Sequence, residues 1–144
     1  MSMGVNIYLT FDGNCREAVE YYTEVYATGK PQILALGDVP EDPEYPVSEE
    51  DKKLIMHAKL NINGSDIMFS DNVGGFPFTQ GNNFSIAVVS RNTEDIKKWF
   101  GKLKEGGNVR MELQETFWSK CYGAITDKYG IDWQLSLEGD TAEQ

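Results

Sequence analysis

Alternating apolar and polar positions open the chain and predict a half-buried strand over 5–11. Asp12-Gly13 interrupts the alternation. Asn14 then stands where a helix N-cap is expected, with Glu17 three residues later in the capping-box position. Apolar residues follow at helical spacing, and Gly29 is expected to end this helix. Three further strand-like segments complete this half of the chain, at 32–36, 54–62 and 65–70.

The second half repeats this order of elements. A strand is predicted over 84–90, Asn92 occupies the cap position of a second helix, and Gly106-Gly107 closes that helix. Three more strands are predicted at 108–116, 121–126 and 132–137. The pattern therefore predicts an α+β fold made of two βαβββ modules in tandem. The whole chain, 1–144, forms one domain in this interpretation, with modules at 1–71 and 82–138 and a linker at 72–81.

Each predicted sheet has one apolar face that its own helix can cover and one face of polar and aromatic side chains. We expect those second faces to line a concave cleft that binds a ligand. An alternative is that some of them pack against a dimer partner. The residues assigned to the second faces by alternation are Asn6, Tyr8, Thr10, His57, Lys59, Met68, Ser85, Gln114, Tyr122 and Gln134, with Trp118 nearby.

Composition narrows the set of partners and compartments. The 144 residues include 13 basic and 23 acidic ones, a formal charge of −10, so nucleic acid and anionic membranes are not expected to bind. No apolar run approaches the roughly 20 residues of a membrane span. Cys15 and Cys121 are the only cysteines, too few for a disulfide framework, and the cytoplasm is the expected compartment. Much of the acidity lies in the proline-containing segment 38–51, which is expected to be a solvated connection.

Several stretches resemble the PhnB-like branch of the vicinal oxygen chelate superfamily, which includes glyoxalase I, extradiol dioxygenases and the fosfomycin- and bleomycin-resistance proteins. The resemblance implies the glyoxalase/bleomycin-resistance/dihydroxybiphenyl dioxygenase-like fold and, from the pairing of related proteins, a homodimer. The stretches that carry it are 8–18 with Tyr21-Tyr22, 56–60, 68–71, 114–118, Tyr122-Gly123, Thr126-Asp127 and 130–134.

The resemblance also implies a divalent metal held on four side chains. The corresponding positions in this chain are Asn6 or Tyr8, Met68, Ser85 and Gln134, and none of them is a carboxylate, an imidazole or a thiolate. We therefore predict no bound metal and no cofactor. PhnB-like proteins are often grouped with demethylubiquinone methyltransferases. This chain lacks the strand, glycine-rich turn and helix on which a nucleotide-like methyl donor usually sits.

His57 is the candidate general base, because histidine is the side chain that ordinarily titrates near neutral pH and this chain has one histidine. The leading hypothesis is a small organic ligand bound in a metal-free pocket of a cytoplasmic homodimer. One alternative is a lyase, isomerase or dioxygenase that recruits a metal through His57 with Glu115 or Asp132. Another is a protein that sequesters an antibiotic between protomers. The expected ligand-binding residues are Tyr8, Met68, Gln114, Trp118, Tyr122 and Gln134.

Overall fold

The structure is a computed structural model that describes residues 3–139. The chain forms two compact units, Met1–Phe78 and Thr79–Gln144. Each unit contains one four-stranded sheet and one long helix. The boundary between the units falls within the segment 72–81 that the sequence marks as a linker.

The first unit has its four strands in the order β1-β4-β3-β2. β1 runs parallel to β4, and the other neighbouring pairs are antiparallel. Its elements are β1 Ile7–Phe11, α1 Cys15–Val25, β2 Gln32–Ala35, β3 Ile55–Ile62 and β4 Ser65–Asp71.

The second unit repeats this topology with the order β5-β8-β7-β6, and β5 again runs parallel to the last strand of its unit. The tandem βαβββ architecture predicted from the sequence is thereby confirmed. The elements of the second unit are β5 Ile86–Ser90, α2 Thr93–Lys104, β6 Asn108–Gln114, β7 Tyr122–Thr126 and β8 Asp132–Leu137.

Each helix covers one face of its own sheet, as the alternation predicts. In the first unit the fully buried Tyr22 of α1 stacks on Phe69 of β4, with ring centroids 6.0 Å apart. In the second unit Phe100 of α2 lies so close to β7 that a Cβ added at Gly123 would meet its ring at 2.8 Å. A glycine is required at this position because any side chain would push the helix away from the strand. The buried side chains on the helix-covered faces include Leu9, Phe11, Ile67, Phe69, Trp133, Leu135 and Leu137.

The predicted cap of the first helix is wrong, whereas that of the second is confirmed. The Asn14 side chain makes no cap hydrogen bond. Asp71, at the end of β4, takes its place, and its Oδ1 accepts from the backbone N–H groups of Gly13 (2.9 Å) and Cys15 (3.0 Å). In the second unit the Asn92 side chain accepts from the Asp95 N–H at 3.1 Å. The Asn14 side chain does not cap α1, because the carboxylate of Asp71, which is distant along the chain, accepts from the N–H groups at the start of that helix.

The first helix also ends earlier than Gly29, the residue expected to stop it. α1 ends at Val25, and Ala27 adopts a left-handed backbone conformation with φ of 48°. The Ala27 N–H donates to the Glu24 carbonyl and the Thr28 N–H donates to the Thr23 carbonyl, which is the Schellman pattern of helix termination.

The acidic segment 38–51 is bounded by two short 3₁₀ turns, Leu36–Asp38 and Asp51–Lys53. Lys52 forms ion pairs with Glu49 at 2.6 Å and Glu41 at 3.6 Å. Within residues 3–139, no helix has the length and apolar character needed to cross a membrane.

Candidate functional site

A hydrogen-bonded relay lies on the face of the second sheet opposite α2. The Tyr122 hydroxyl donates to Gln134 Oε1 at 2.6 Å, and Gln134 Nε2 donates to Ser85 Oγ at 2.6 Å. Gln134 is aligned with Ala87 of β5 on one side and Ala124 of β7 on the other. Because alternate residues of a strand share a face, Tyr122 and Ser85, each two positions from these alanines, reach the amide diagonally.

Exposed aromatic rings adjoin this relay. The Trp118 ring lies edge-on to Tyr122, with centroids 5.2 Å apart and planes at 73°. Phe117 lies edge-on to Trp118 at 4.8 Å. Phe117 is 95 % exposed and Trp118 is 51 % exposed, although both rings belong to one contiguous cluster. We call Phe117, Trp118 and Tyr122 the aromatic cluster.

The loop that carries the aromatic cluster is fixed by the buried Ser119. Its hydroxyl donates to the Leu137 carbonyl at 2.8 Å, and its backbone carbonyl accepts from the Thr116 N–H at 2.8 Å. The rings of Phe117 and Trp118 therefore project from an anchored turn. Gln114, the other residue predicted here, is aligned with Tyr122. Its amide donates to the Glu112 carbonyl of its own strand at 3.1 Å.

In the first unit, the face opposite α1 brings together Tyr8 and His57. Their ring centroids are 6.1 Å apart and the planes are tilted by 47°. The pairing of β2 with β3 slips at this point, because Leu34 is aligned with His57 while the next residue, Ala35, is aligned with Ile55. His57 is half-buried beside this β-bulge. Bulges of this kind often reorient a side chain beside a functional site.

Met68 lies between Tyr8 of β1 and Lys59 of β3 in the register of the first sheet. The sequence predicts it as a ligand-binding residue, but it is 7 % exposed, so little of its surface is accessible to a ligand. Tyr8, by contrast, is 48 % exposed.

Sequence reasoning placed Ser85 on the correct face but did not identify it as the partner of Gln134. Two buried carboxylates, Asp71 and Asp127, were missed entirely as structural groups. Asp127 accepts from the backbone N–H groups of Tyr129 (2.8 Å) and Ile131 (3.1 Å) and from Trp133 Nε1 (2.8 Å). Its oxygens therefore hold the turn before β8. The donors to Asp71 are distant along the chain and are brought together by the fold, whereas those to Asp127 all lie within six residues of it.

The cysteines are poor nucleophiles in this environment. Cys15 and Cys121 are both free and buried. Burial raises the pKa of the Cys15 thiol from 9.0 to about 12, with a further contribution from the nearby negative charge of Asp71. The thiolate form of Cys15 is therefore suppressed at neutral pH.

The residues at the superfamily's metal-ligand positions do not fit a divalent ion. Gln134 and Ser85 hydrogen-bond to each other, Met68 offers a thioether, and neither Asn6 nor Tyr8 is a strong ligand. Among residues 3–139, no group of three or more His, Cys, Asp and Glu side chains is placed to hold a metal. Asp132, named in the metal-dependent alternative, accepts from Thr126 and lies 3.5 Å from Arg110 Nη1.

Two tandem βαβββ units form the fold that the resemblance to the vicinal oxygen chelate superfamily implies. The model of a family described as 3-demethylubiquinone-9 3-methyltransferase matches residues 4–136, and the chain belongs to this family. The curated protein YjdN of Escherichia coli K12 is 30 % identical over 141 residues, which cover 94 % of this chain and 95 % of YjdN.

Solved structures agree with this assignment. Protein PA1353 from Pseudomonas aeruginosa is 34 % identical, with a TM-score of 0.83 over 96 % of this chain and 100 % of that chain. A PhnB protein from Bacillus cereus, described as a putative 3-demethylubiquinone-9 3-methyltransferase, is 29 % identical, with a TM-score of 0.72 over 94 % and 100 % of the two chains. A glyoxylase/bleomycin resistance protein/dioxygenase domain from Frankia shares the fold alone, at 17 % identity and a TM-score of 0.62 over 99 % and 96 %.

The family description refers to methyl transfer, and the turn between β1 and α1 does not fit a nucleotide-like methyl donor. Such a donor needs free backbone N–H groups at a strand–helix turn. Here the N–H groups of Gly13 and Cys15 already donate to Asp71. These two N–H groups are therefore already satisfied within the protein.

Proposed function

We propose that this chain binds a small, uncharged organic molecule at the relay and aromatic cluster of its second unit. The observation that carries the proposal is the neutral relay of Ser85, Gln134 and Tyr122 beside the exposed Trp118 ring. A polar group at the tip of an apolar surface is the usual composition of a small-molecule site. The first unit contributes a second candidate surface, formed by Tyr8 and His57.

Two features support a ligand in preference to a purely structural role. Adjoining exposed rings form an apolar patch, which proteins generally reserve for contact with another molecule. The relay contains no charged side chain, so it favours an uncharged ligand. Antibiotic sequestration is a special case of this proposal, because it differs only in the identity of the ligand.

A thermal-shift screen of uncharged metabolites, with the charged antibiotics fosfomycin and bleomycin as comparison compounds, tests the proposal. Trp118→Ala removes the half-exposed ring, and Tyr45→Ala removes a ring that is 73 % exposed in the other unit and serves as the matched control. We expect hits that stabilise the wild type and the Tyr45→Ala variant but not the Trp118→Ala variant. Hits that stabilise all three equally would contradict the assignment of the site.

We also propose that the chain forms a homodimer in the cytoplasm. In each four-stranded sheet the two outer strands pair on one side only, and open edges are normally paired or protected. Free cysteines suit a reducing compartment. Light scattering of the purified protein should give about twice the 16.2 kDa of one chain. A particle of 16.2 kDa at micromolar concentration would contradict the dimer.

A second candidate function is proton transfer by His57. The position of the half-buried His57 next to Tyr8, beside a β-bulge, favours it. A base at this position would exchange an acidic C–H proton of a bound ligand with solvent. NMR of the screening hits in D₂O tests this, with His57→Gln as the variant and Asn61→Ala, an exposed change on the same strand, as the control. Exchange that survives His57→Gln would rule out this role.

A further inference from the structure

The hydrogen-bond polarity of the relay restricts the chemistry of the ligand beyond its lack of charge. In the relay Tyr122 donates to the amide and the amide donates to Ser85. The hydroxyl hydrogen of Tyr122 is therefore already used in the bond to Gln134. The hydroxyl oxygen of Tyr122 can still accept a hydrogen bond. Ser85 Oγ is an acceptor within the relay, so its own hydrogen is left to donate. Within residues 3–139, no hydrogen bond donated by that hydroxyl is found.

A primary amide imposes this asymmetry. It has one oxygen that only accepts and one nitrogen that only donates, so the two hydroxyls bound to it must play opposite roles. If the Gln134 amide were turned over, Ser85 would become the inward donor and Tyr122 the outward donor. In either orientation the relay presents one donor and one acceptor to the outside.

We infer that the site takes a planar ring that carries a lactam, in which an N–H and a C=O lie side by side on one edge. This inference rests on the proposed function. The lactam edge is the chemical counterpart of the Gln134 amide: its N–H meets the hydroxyl that accepts, and its C=O meets the hydroxyl that donates. The result is a closed ring of four hydrogen bonds in a single direction, which polarise one another.

The lactam satisfies both orientations of Gln134, because the ligand can turn over together with the amide. A carboxylate cannot close the ring, since it only accepts and the relay supplies one outward donor. An ammonium ion cannot close it either, since it only donates. The ring body of the ligand has the half-exposed Trp118 beside Tyr122 as its aromatic contact.

Three probes with a two-ring body test the inference by calorimetry at neutral pH. Isoquinolin-1(2H)-one carries the lactam edge, its N-methyl derivative lacks the donor, and 1-naphthoate offers a carboxylate. We expect the lactam to bind the wild type about tenfold more tightly than either of the other two, the ratio that corresponds to one well-made hydrogen bond.

Variants identify the relay as the source of that ratio. Tyr122→Phe keeps the ring against Trp118 and removes the hydroxyl, so the lactam and its N-methyl derivative should bind alike. Gln134→Glu makes the centre acceptor-only, which turns both hydroxyls inward and leaves no outward donor for the lactam C=O, so this variant should bind the lactam more weakly than the wild type does. Ser136→Ala, two residues further along the same face of β8, is the control and should retain the preference for the lactam. Thermal melts verify that each variant is folded.

The inference is overturned if the N-methyl derivative or 1-naphthoate binds as tightly as the lactam, or if none of the three binds. It is also overturned if Tyr122→Phe preserves the preference, or if Gln134→Glu binds the lactam as tightly as the wild type does. The proposed function is decided separately. Trp118-dependent hits of other chemistry would leave it standing without the lactam, whereas hits that do not depend on Trp118 would remove both.

Discussion

Asp71 is expected to be the most important single polar side chain for the stability of the first unit. It is 4 % exposed, and both of its oxygens accept from the backbone. Oδ1 accepts from Gly13 and Cys15 at the start of α1, and Oδ2 accepts from the Ile55 N–H at 2.8 Å, at the start of β3. One carboxylate therefore links the end of β4 to two other elements of the unit.

The cost of Asp71→Ala follows from what happens to these donors. The hydrogen bonds to Cys15 and Ile55 are buried, so their N–H groups would lose a charged acceptor without gaining water. Each such loss is worth about 1.5–3 kcal/mol. The N–H of Gly13 is partly exposed and can turn to solvent. We therefore expect the variant to lose about 3–6 kcal/mol of unfolding free energy.

Urea denaturation at neutral pH measures this loss, with Asp66→Ala as the matched control. Asp66 lies on the same strand and makes an exposed hydrogen bond to Asn61, so its removal should cost less than about 1 kcal/mol. Far-UV circular dichroism is the appropriate probe, because all three tryptophans lie in the second unit and their fluorescence reports on that unit. Equal transition midpoints for the two variants would refute the reasoning, as would unchanged amide-exchange protection of Cys15 and Ile55.

Three further predictions follow from the helix ends. Asn92→Ala should cost about 0.5–2 kcal/mol in urea denaturation, whereas Asn14→Ala should cost almost nothing, because the Asn92 side chain makes a cap hydrogen bond and that of Asn14 does not. Ala27→Gly should raise the unfolding free energy by about 0.5–1 kcal/mol, since glycine adopts the left-handed conformation without strain; a loss of stability would contradict this. Because the folded-state pKa of Cys15 is raised, stability should fall as the pH rises from 9.0 to about 12, and Cys15→Ala should flatten that slope.

The strands and helices could be predicted from the sequence because their determinants are local. The β8 segment Asp132–Leu137 matches its predicted bounds, since its alternation and the preceding glycine turn lie within a few residues. The cap at Asn14 failed for the opposite reason. The carboxylate of Asp71 is distant along the chain, and only the parallel pairing of β1 with β4 brings it to the start of α1.

The sequence predicted which side of the sheet carries the candidate site, but not the hydrogen bonds between its side chains. Alternation placed Gln134, Tyr122 and Ser85 on the side of the sheet away from α2. It could not show that the three side chains satisfy one another, because hydrogen bonds between strands depend on register and rotamer. In the first unit, alternation likewise placed His57 on the second face, but it could not show the β-bulge beside that residue.

An amide rather than a carboxylate at position 134 makes the second unit better suited to hydrogen-bond recognition than to holding an ion. A carboxylate there would make Ser85 and Tyr122 both donate inward and would leave a partly buried negative charge in need of a cation. Gln134 requires no such compensation, since its one acceptor and one donor are each matched by a hydroxyl at 2.6 Å. A ligand at the proposed site would therefore meet donors and acceptors that are already oriented before it binds.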